Sequence, residues 1–170
     1  TKTKADIEGT EVGLRGGSFN TQDAWLLHGQ TWQGFDVALA VEYHDTDGQR
    51  EIMETDAQTQ FDKLFGTHAS LAPGSVNLPR QNLETNLDIA KGNWRWRTHY
   101  QGRRNIGNGA GTGQAIDPQA RLASDRLNTD LTYHNTEWIK DWDVTAQLNY
   151  FETSYETTKD FVIFPPGAFG

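Results

Sequence analysis

The chain of 170 residues contains no cysteine, one methionine and five prolines. Without cysteine it can form neither a disulfide nor a thiolate metal site. No run approaches 18 consecutive apolar residues, so no helix of this chain can cross a bilayer. No segment shows a convincing helical period either. The first residues, TKTKADIEG, lack the apolar stretch of a signal peptide, and the chain reads as a mature protein or an internal piece of one. Basic residues are in the minority, 15 against 23 acidic, giving a net charge of −8. That balance lacks the basic footprint of a nucleic-acid binder, so no nucleic-acid partner is expected. Hydrophobic residues reach only 35%, little for an ordinary core when globular chains carry about 45–50%.

What the chain does have is aromatic and turn-forming: six Trp, five Tyr, eight Phe and 17 Gly. Period-two alternation recurs along it. In FDVALAVEY, Phe35, Val37, Leu39, Val41 and Tyr43 oppose Asp36, Ala38, Ala40 and Glu42. In NLETNLDIA, Leu83, Thr85, Leu87 and Ile89 oppose Asn82, Glu84, Asn86 and Asp88. The stretch GNWRWRTHYQGRR sets Trp94, Trp96, Thr98 and Tyr100 against Arg95, Arg97, His99 and Gln101. LNTDLTYH and WDVTAQLNY repeat the pattern, with Asp130 on the polar side of the first and Trp142 to Tyr150 on the apolar side of the second. Alternation of this kind predicts strands, five clear ones and two weaker ones near 10–16 and 23–30, seven in all.

The connections are unequal. Short turns are predicted near 31–34, 91–93 and 135–141, and long polar loops near 44–81, 102–125 and 151–170. Soluble domains seldom carry such long structureless loops, whereas outer-membrane barrels have short periplasmic turns and long extracellular loops. The rings follow the same geometry. Trp32 and Phe35 flank the first turn, Trp94 and Trp96 follow the second, and Trp138 and Trp142 bracket the third. Phe35 to Tyr43, and Trp142 to Tyr150, each span eight residues. At about 3.3 Å per residue and a tilt near 40°, that is a rise of roughly 20 Å, close to the ~25 Å apolar band of such barrels. These rings are expected at the lipid interface. Asp36, Glu42, Asp88, Arg95, Arg97, His99 and Asp130 are then expected on a polar wall facing a wet lumen. The expected fold is an all-β, antiparallel up-and-down transmembrane barrel segment forming a single unit over 1–170. An unpaired strand edge in hydrocarbon is prohibitively costly. An odd strand count and the ending FVIFPPGAFG, unsuited to a closing strand, favour part of a larger barrel. The rival readings are a complete eight-stranded barrel with a structural or adhesive role, and a soluble all-β binding domain.

The segment EVGLRGGSFNTQDAWLLHGQTWQGFDVALAVEYHDTDG (11–48) resembles the start of the barrel in TonB-dependent outer-membrane receptors. The corner Gly16–Gly17–Ser18–Phe19, the turn residue Gly34 and the stretch Tyr43 to Gly48 carry the match. The resemblance implies a 22-stranded barrel in the outer membrane of a Gram-negative bacterium, occluded by an N-terminal plug. It implies import of a scarce nutrient such as an iron–siderophore, energised by TonB through the plug. The expected partners are outer-membrane lipid, the plug and remaining strands, TonB and an extracellular small molecule. This sequence departs from the family in holding no plug, no TonB-contact segment and only about seven strands.

Motifs for chemistry are sparse. GNGAGTG (107–113) fails as a nucleotide loop, because Thr112 stands where the dinucleotide pattern needs Gly and no Lys-Ser/Thr follows. HDTDGQRE (44–51) gathers oxygen ligands but not at calcium-loop spacing, and reads as a solvated turn. The serines lack a nucleophile-elbow context. No enzymatic activity, metal or cofactor is expected. Candidate ligand contacts are Arg103, Arg104, His44, Phe161 and Phe164, at the extracellular strand ends or in the loops.

Overall fold

A computed structural model describes residues 2–113 and 115–169. In chain order the elements are β1 (Gly9–Gly17), β2 (Thr21–Trp32), β3 (Phe35–Thr46), β4 (Ile52–Met53) and α1 (Ala57–Phe65). They continue with β5 (Gly74–Ser75), β6 (Arg80–Lys91), β7 (Trp94–Ile106), β8 (Arg121–Asn135) and β9 (Val144–Lys159). Seven long strands form one antiparallel sheet in the order β1-β2-β3-β6-β7-β8-β9, while β4 and β5 make a two-residue ribbon. Each long strand lies beside its predecessor in the meander, so every hairpin is local. The sheet is open: among the described residues, β1 and β9 each pair on one side only.

The turns follow from local chemistry. Trp32 pairs with Phe35 across Gln33 and Gly34, whose φ angles are 49° and 79°. Two left-handed central residues make the hairpin turn whose twist suits the strands, and a glycine at the second lowers its cost. At the other end Phe19 and Asn20, φ 59° and 55°, turn the chain between Gly17 and Thr21.

All seven strands lie where alternation predicts them, with longer bounds. β7 runs to Ile106 and β8 starts at Arg121, so the loop expected over 102–125 shrinks to 107–120. β9 runs to Lys159, nine residues into the segment expected as loop from 151. It begins at Val144, which leaves Trp142, like Trp138, in the connecting loop. Trp142 and Tyr150 therefore do not bound one strand as Phe35 and Tyr43 do. Nor do Tyr43 and Tyr150 share a row of paired residues. The Tyr43 row runs through Leu83, Gly102, Asp125 and Ser154, whereas Tyr150 stands on the row of Leu39, Leu87, Thr98 and Thr129.

The expected 44–81 loop also contains a helix, against the expectation that no segment has a helical period. Its apolar side chains Ala57, Phe61, Leu64 and Phe65 stand at i, i+4, i+7 and i+8, one face of a two-turn helix. The caps set its ends. Asp56 accepts a hydrogen bond from the Thr59 amide while Thr59 Oγ1 accepts one from the Asp56 amide, a reciprocal capping box. Gly66, φ 68°, closes the other end in the left-handed conformation.

Strand register separates the faces. His28, Leu39, Leu87, Thr98, Thr129 and Tyr150 form one row across six strands. The next row is Gly29, Ala38, Asp88, Arg97, Asp130 and Asn149, pointing the other way. On the first face lie Val12, Leu14, Leu26, the odd residues of Phe35–Tyr43, Ile89, Trp94, Trp96, Leu131 and Leu148. Among the described elements the long strands contact only their sheet neighbours, and among the described residues no second layer covers this face: Leu14 is 85% and Leu148 73% exposed. At its turn end Trp94 and Tyr133 lie 4.9 Å apart, and Lys91 Nζ sits 3.9 Å over the Phe35 ring. Nearby, Trp96 Nε1 donates to Thr129 Oγ1 at 2.8 Å.

The segment before β1 crosses the polar face. Ile7 is buried against Gly29, where a Cβ would come 2.0 Å from the Ile7 carbonyl oxygen. A methyl group there must push the segment off the sheet, an overpacking cost of about 1–3 kcal/mol. Gly29→Ala is expected to accelerate tryptic cleavage after Lys4 while leaving the circular dichroism of the sheet unchanged; equal cleavage of both proteins would refute this packing role.

Candidate functional site

The polar face is built from the strand positions that alternate with the rings, and the sheet brings all seven expected wall residues onto it. Asp88, 3% exposed, accepts from Arg95 Nε at 2.8 Å and Nη2 at 2.7 Å. Arg97 places Nε and Nη2 on Asp130 Oδ1 at 3.1 and 2.8 Å, and Thr132 and Gln147 donate to the same oxygen. Among the described residues the other three wall positions, Asp36, Glu42 and His99, make no ion pair. His99 meets the Asn86 amide, not a carboxylate, at 2.9 Å. Asp36 accepts the Thr31 hydroxyl. Glu42 stands directly across from Glu84, and Glu84 accepts from Gln101 at 2.7 Å. On an open face, pairs like these contribute little stability, about 0.2–1 kcal/mol each. Their consequence is geometric: Arg95 and Arg97 are held against the wall.

Toward the loop end, Asp23, 5% exposed, accepts Arg15 Nε at 2.7 Å and pairs with His44 Nδ1. His44 Nε2 and Asn82 Oδ1 are buried there without hydrogen-bond partners among the described residues. Both residues line a hollow of about 160 Å³ together with Glu42, Arg80 and Glu84. A larger hollow of about 550 Å³ opens toward the turns, walled by Ile7, Trp25 and Leu27 and bordered by the same two glutamates. Trp25 lies flat because Gly13 has no side chain beneath the ring; its Nε1 donates to Glu11 at 2.9 Å.

The five expected ligand contacts do not form one site. Arg103 and His44 are on the polar face. Arg104, the next residue along β7, points to the ring face, where it donates to Asp125 at 2.7 Å. Tyr100 Oη, lying over Gly102, donates to the same carboxylate at 2.6 Å. Phe161 and Phe164 belong to the segment after β9, and Phe164 packs on Phe169 with centroids 4.9 Å apart. Phe169 meets Phe65 of α1 at 5.6 Å, so this segment joins a cap over the loop end of the sheet.

Three aspartates hold that cap together, and sequence reasoning missed all of them. Asp56 accepts from the Ser70 hydroxyl, both donors of Thr59 and the Ile116 amide. Asp62 accepts from Gln58, Thr67 and the amides of Ala69 and Ser70. Asp117, 1% exposed, accepts the amides of Gln119, Ala120 and Val162. Asn77 stitches the same region, donating to the Asp117 and Ala120 carbonyls. The only advance signal was the D-x-x-T cap at Asp56; the other partners lie far off in sequence.

For each aspartate burial pushes the carboxyl upward, but the donors outweigh it and hold the value below the ordinary 3.8. A depressed folded value means that the stabilisation is complete above 3.8 and is lost as pH falls through it toward the folded values. Acidification from pH 5 to pH 2.5 is therefore expected to move the amide resonances of Ile116 and Val162 ahead of that of Ser70, whose acceptor Asp62 is held lower still, while those of β3 stay in place. At neutral pH, Asp117→Ala leaves buried amides unpaired at about 1–3 kcal/mol, and proteolysis within 160–169 should accelerate severalfold. Asp117→Asn, which keeps an acceptor, should lose less.

The chain matches no protein family, no curated protein and no solved structure.

Proposed function

We propose that this chain is part of the wall of an outer-membrane β-barrel, in a TonB-dependent receptor that imports a scarce nutrient such as an iron–siderophore. One observation carries the reading: among the described residues, a single-layer sheet of seven long strands turns a face rich in rings and aliphatics, interrupted by a few polar side chains, to no protein layer, and an ion-paired face opposite. In water an uncovered apolar face of this extent is a liability. Against acyl chains it is the required surface, with rings at the interface. The unpaired edges of β1 and β9 support the same reading, because hydrocarbon demands that every strand edge be paired. Further strands would pair with them, a plug would fill the bore and carry the TonB contact, and the ligand would arrive at the loop end. The resemblance of residues 11–48 to the family's first barrel strands directs the choice of transporter.

The absence of cysteine makes the test direct. Leu87→Cys and Leu148→Cys, labelled with a fluorophore in bilayers of brominated lipid, are expected to be quenched. Asn86→Cys and Asn149→Cys, one residue away on the opposite face, are expected to stay bright. Equal quenching at neighbouring positions would overturn the barrel. For the transport step, cells bearing the whole receptor of which this wall is proposed to be part should accumulate radioactive ferric chelate until an uncoupler is added; accumulation indifferent to the uncoupler would overturn the TonB assignment.

A further inference from the structure

We infer that the loop end of the polar face binds a small polyanion, held by Arg80, Arg103 and Arg126. The inference deepens the proposed function by naming a ligand class, and rests on that reading for the direction the face looks.

The observation is a difference among arginines. Arg15, Arg50, Arg95, Arg97 and Arg104 end on carboxylates. Arg121 ends on Asn77, Asn105 and backbone oxygens. Among the described residues Arg80, Arg103 and Arg126 have no such acceptor, and all three are exposed. They are also neighbours. Asn82 is opposite Arg103, with Arg80 two residues before Asn82 on the same face of β6. Arg103 is opposite Ser124, and Arg126 is opposite Gln101 on the same face of β8. Arg80 and Arg126 are thus diagonal neighbours of Arg103, one toward the loops and one toward the turns, a separation of about 7–8 Å that long side chains bridge; Glu84 is the other diagonal on β6, and its carboxylate is occupied by Gln101.

Three neighbouring cations make no ion pair among the described residues, with Glu84 the one carboxylate beside them, and the chain's net charge is −8; basic charge left unpaired at one place in an acidic protein calls for an anion. Guanidinium forks match carboxylate and phosphate oxygens in paired hydrogen bonds. The adjoining 160 Å³ hollow contributes independently. Arg80 lines it, and His44 Nε2 and Asn82 Oδ1 are its two buried atoms without partners. With His44 Nδ1 committed to Asp23, Nε2 and Asn82 Oδ1 are both acceptors, and a hydroxyl on the ligand would donate to one of them. Glu42 and Glu84 close the hollow on the turn side and repel an anion from going deeper. The ligand class is therefore a compact molecule bearing two or more carboxylate or phosphate groups and a hydroxyl. Arg103 was legible in the sequence. Arg80 was hidden in the segment expected as loop, and Arg126 stood one residue before the expected strand, though extending its alternation from Asn128 and Asp130 would have placed it.

The test is calorimetric titration of the protein in neutral detergent micelles at low ionic strength, with citrate and with inorganic tripolyphosphate as probes. Saturable binding that weakens as salt rises is expected. R103Q should weaken it about tenfold, R80Q and R126Q severalfold each, and the triple variant should abolish it. R103K keeps the charge but not the fork and should fall between the native protein and R103Q. R50Q, a change of the same charge in a loop, should bind as the native protein does. The inference is overturned by no saturable heat with either probe, or by R50Q losing as much as R103Q. It is also overturned if binding occurs only when anionic lipid is added to the micelles, which would assign the band to headgroups. Quenching at Leu148 without anion binding would sink this inference alone; anion binding without quenching would sink the barrel and leave the arginine band.

Discussion

A pleated strand sends successive side chains to opposite sides, and in this protein that constraint acts without a second layer to absorb either side. An ordinary sheet hides one face against helices or another sheet. Here, among the described residues, no helix or second sheet packs on the long strands and only the segment around Ile7 crosses them, so the medium must supply whatever each face lacks. Every main structural feature follows: rings and aliphatics in rows on one side, charges tied in cross-strand pairs on the other, and two edges with free backbone groups.

The polar face shows how such a wall keeps its charges. Arg95 and Arg97 are fastened to Asp88 and Asp130, and Asp23 gathers Arg15 and His44. These pairs add little stability individually, but they fix where charge is spent and where it is not. The glycines act in the same way. Gly29 lets Ile7 pass over the sheet, and Gly13 lets Trp25 lie down toward Glu11. The loop end is organised by a different chemistry, in which Asp56, Asp62 and Asp117 collect backbone and hydroxyl donors instead of cations. They bind α1, the 107–120 loop and the segment after β9 into a cap.

Much of this was legible beforehand. Phe35 to Tyr43 and Trp94 to Tyr100 alternate without a break, and their neighbours in space alternate in phase, so the two faces could be assigned before any pairing was known. Strand ends were less legible. Beyond Tyr150 the alternation changes phase, with Phe151 and Tyr155 now set against Glu152, Ser154 and Glu156, yet β8 provides a partner and β9 continues to Lys159, carrying these two rings onto the polar face. Helix α1 carries a period in Ala57, Phe61, Leu64 and Phe65, but over only two turns inside a long polar stretch, and its order rests on its caps and on partners such as Ser70 and Ile116. The candidate ligand contacts scattered because adjacent strand residues must diverge: Arg103 and Arg104 touch in sequence and face opposite ways.

The sequence by itself determined the strands, their hairpin order and which side chains share a face, because these depend on a period of two and on turn residues a few positions apart. Only the tertiary structure decided which arginine meets which aspartate, which arginines meet none, and how three distant aspartates draw the loops into one cap. Those outcomes depend on register across strands and on contacts between segments up to about a hundred residues apart, such as Thr67 with Ala168. No local pattern encodes such distances.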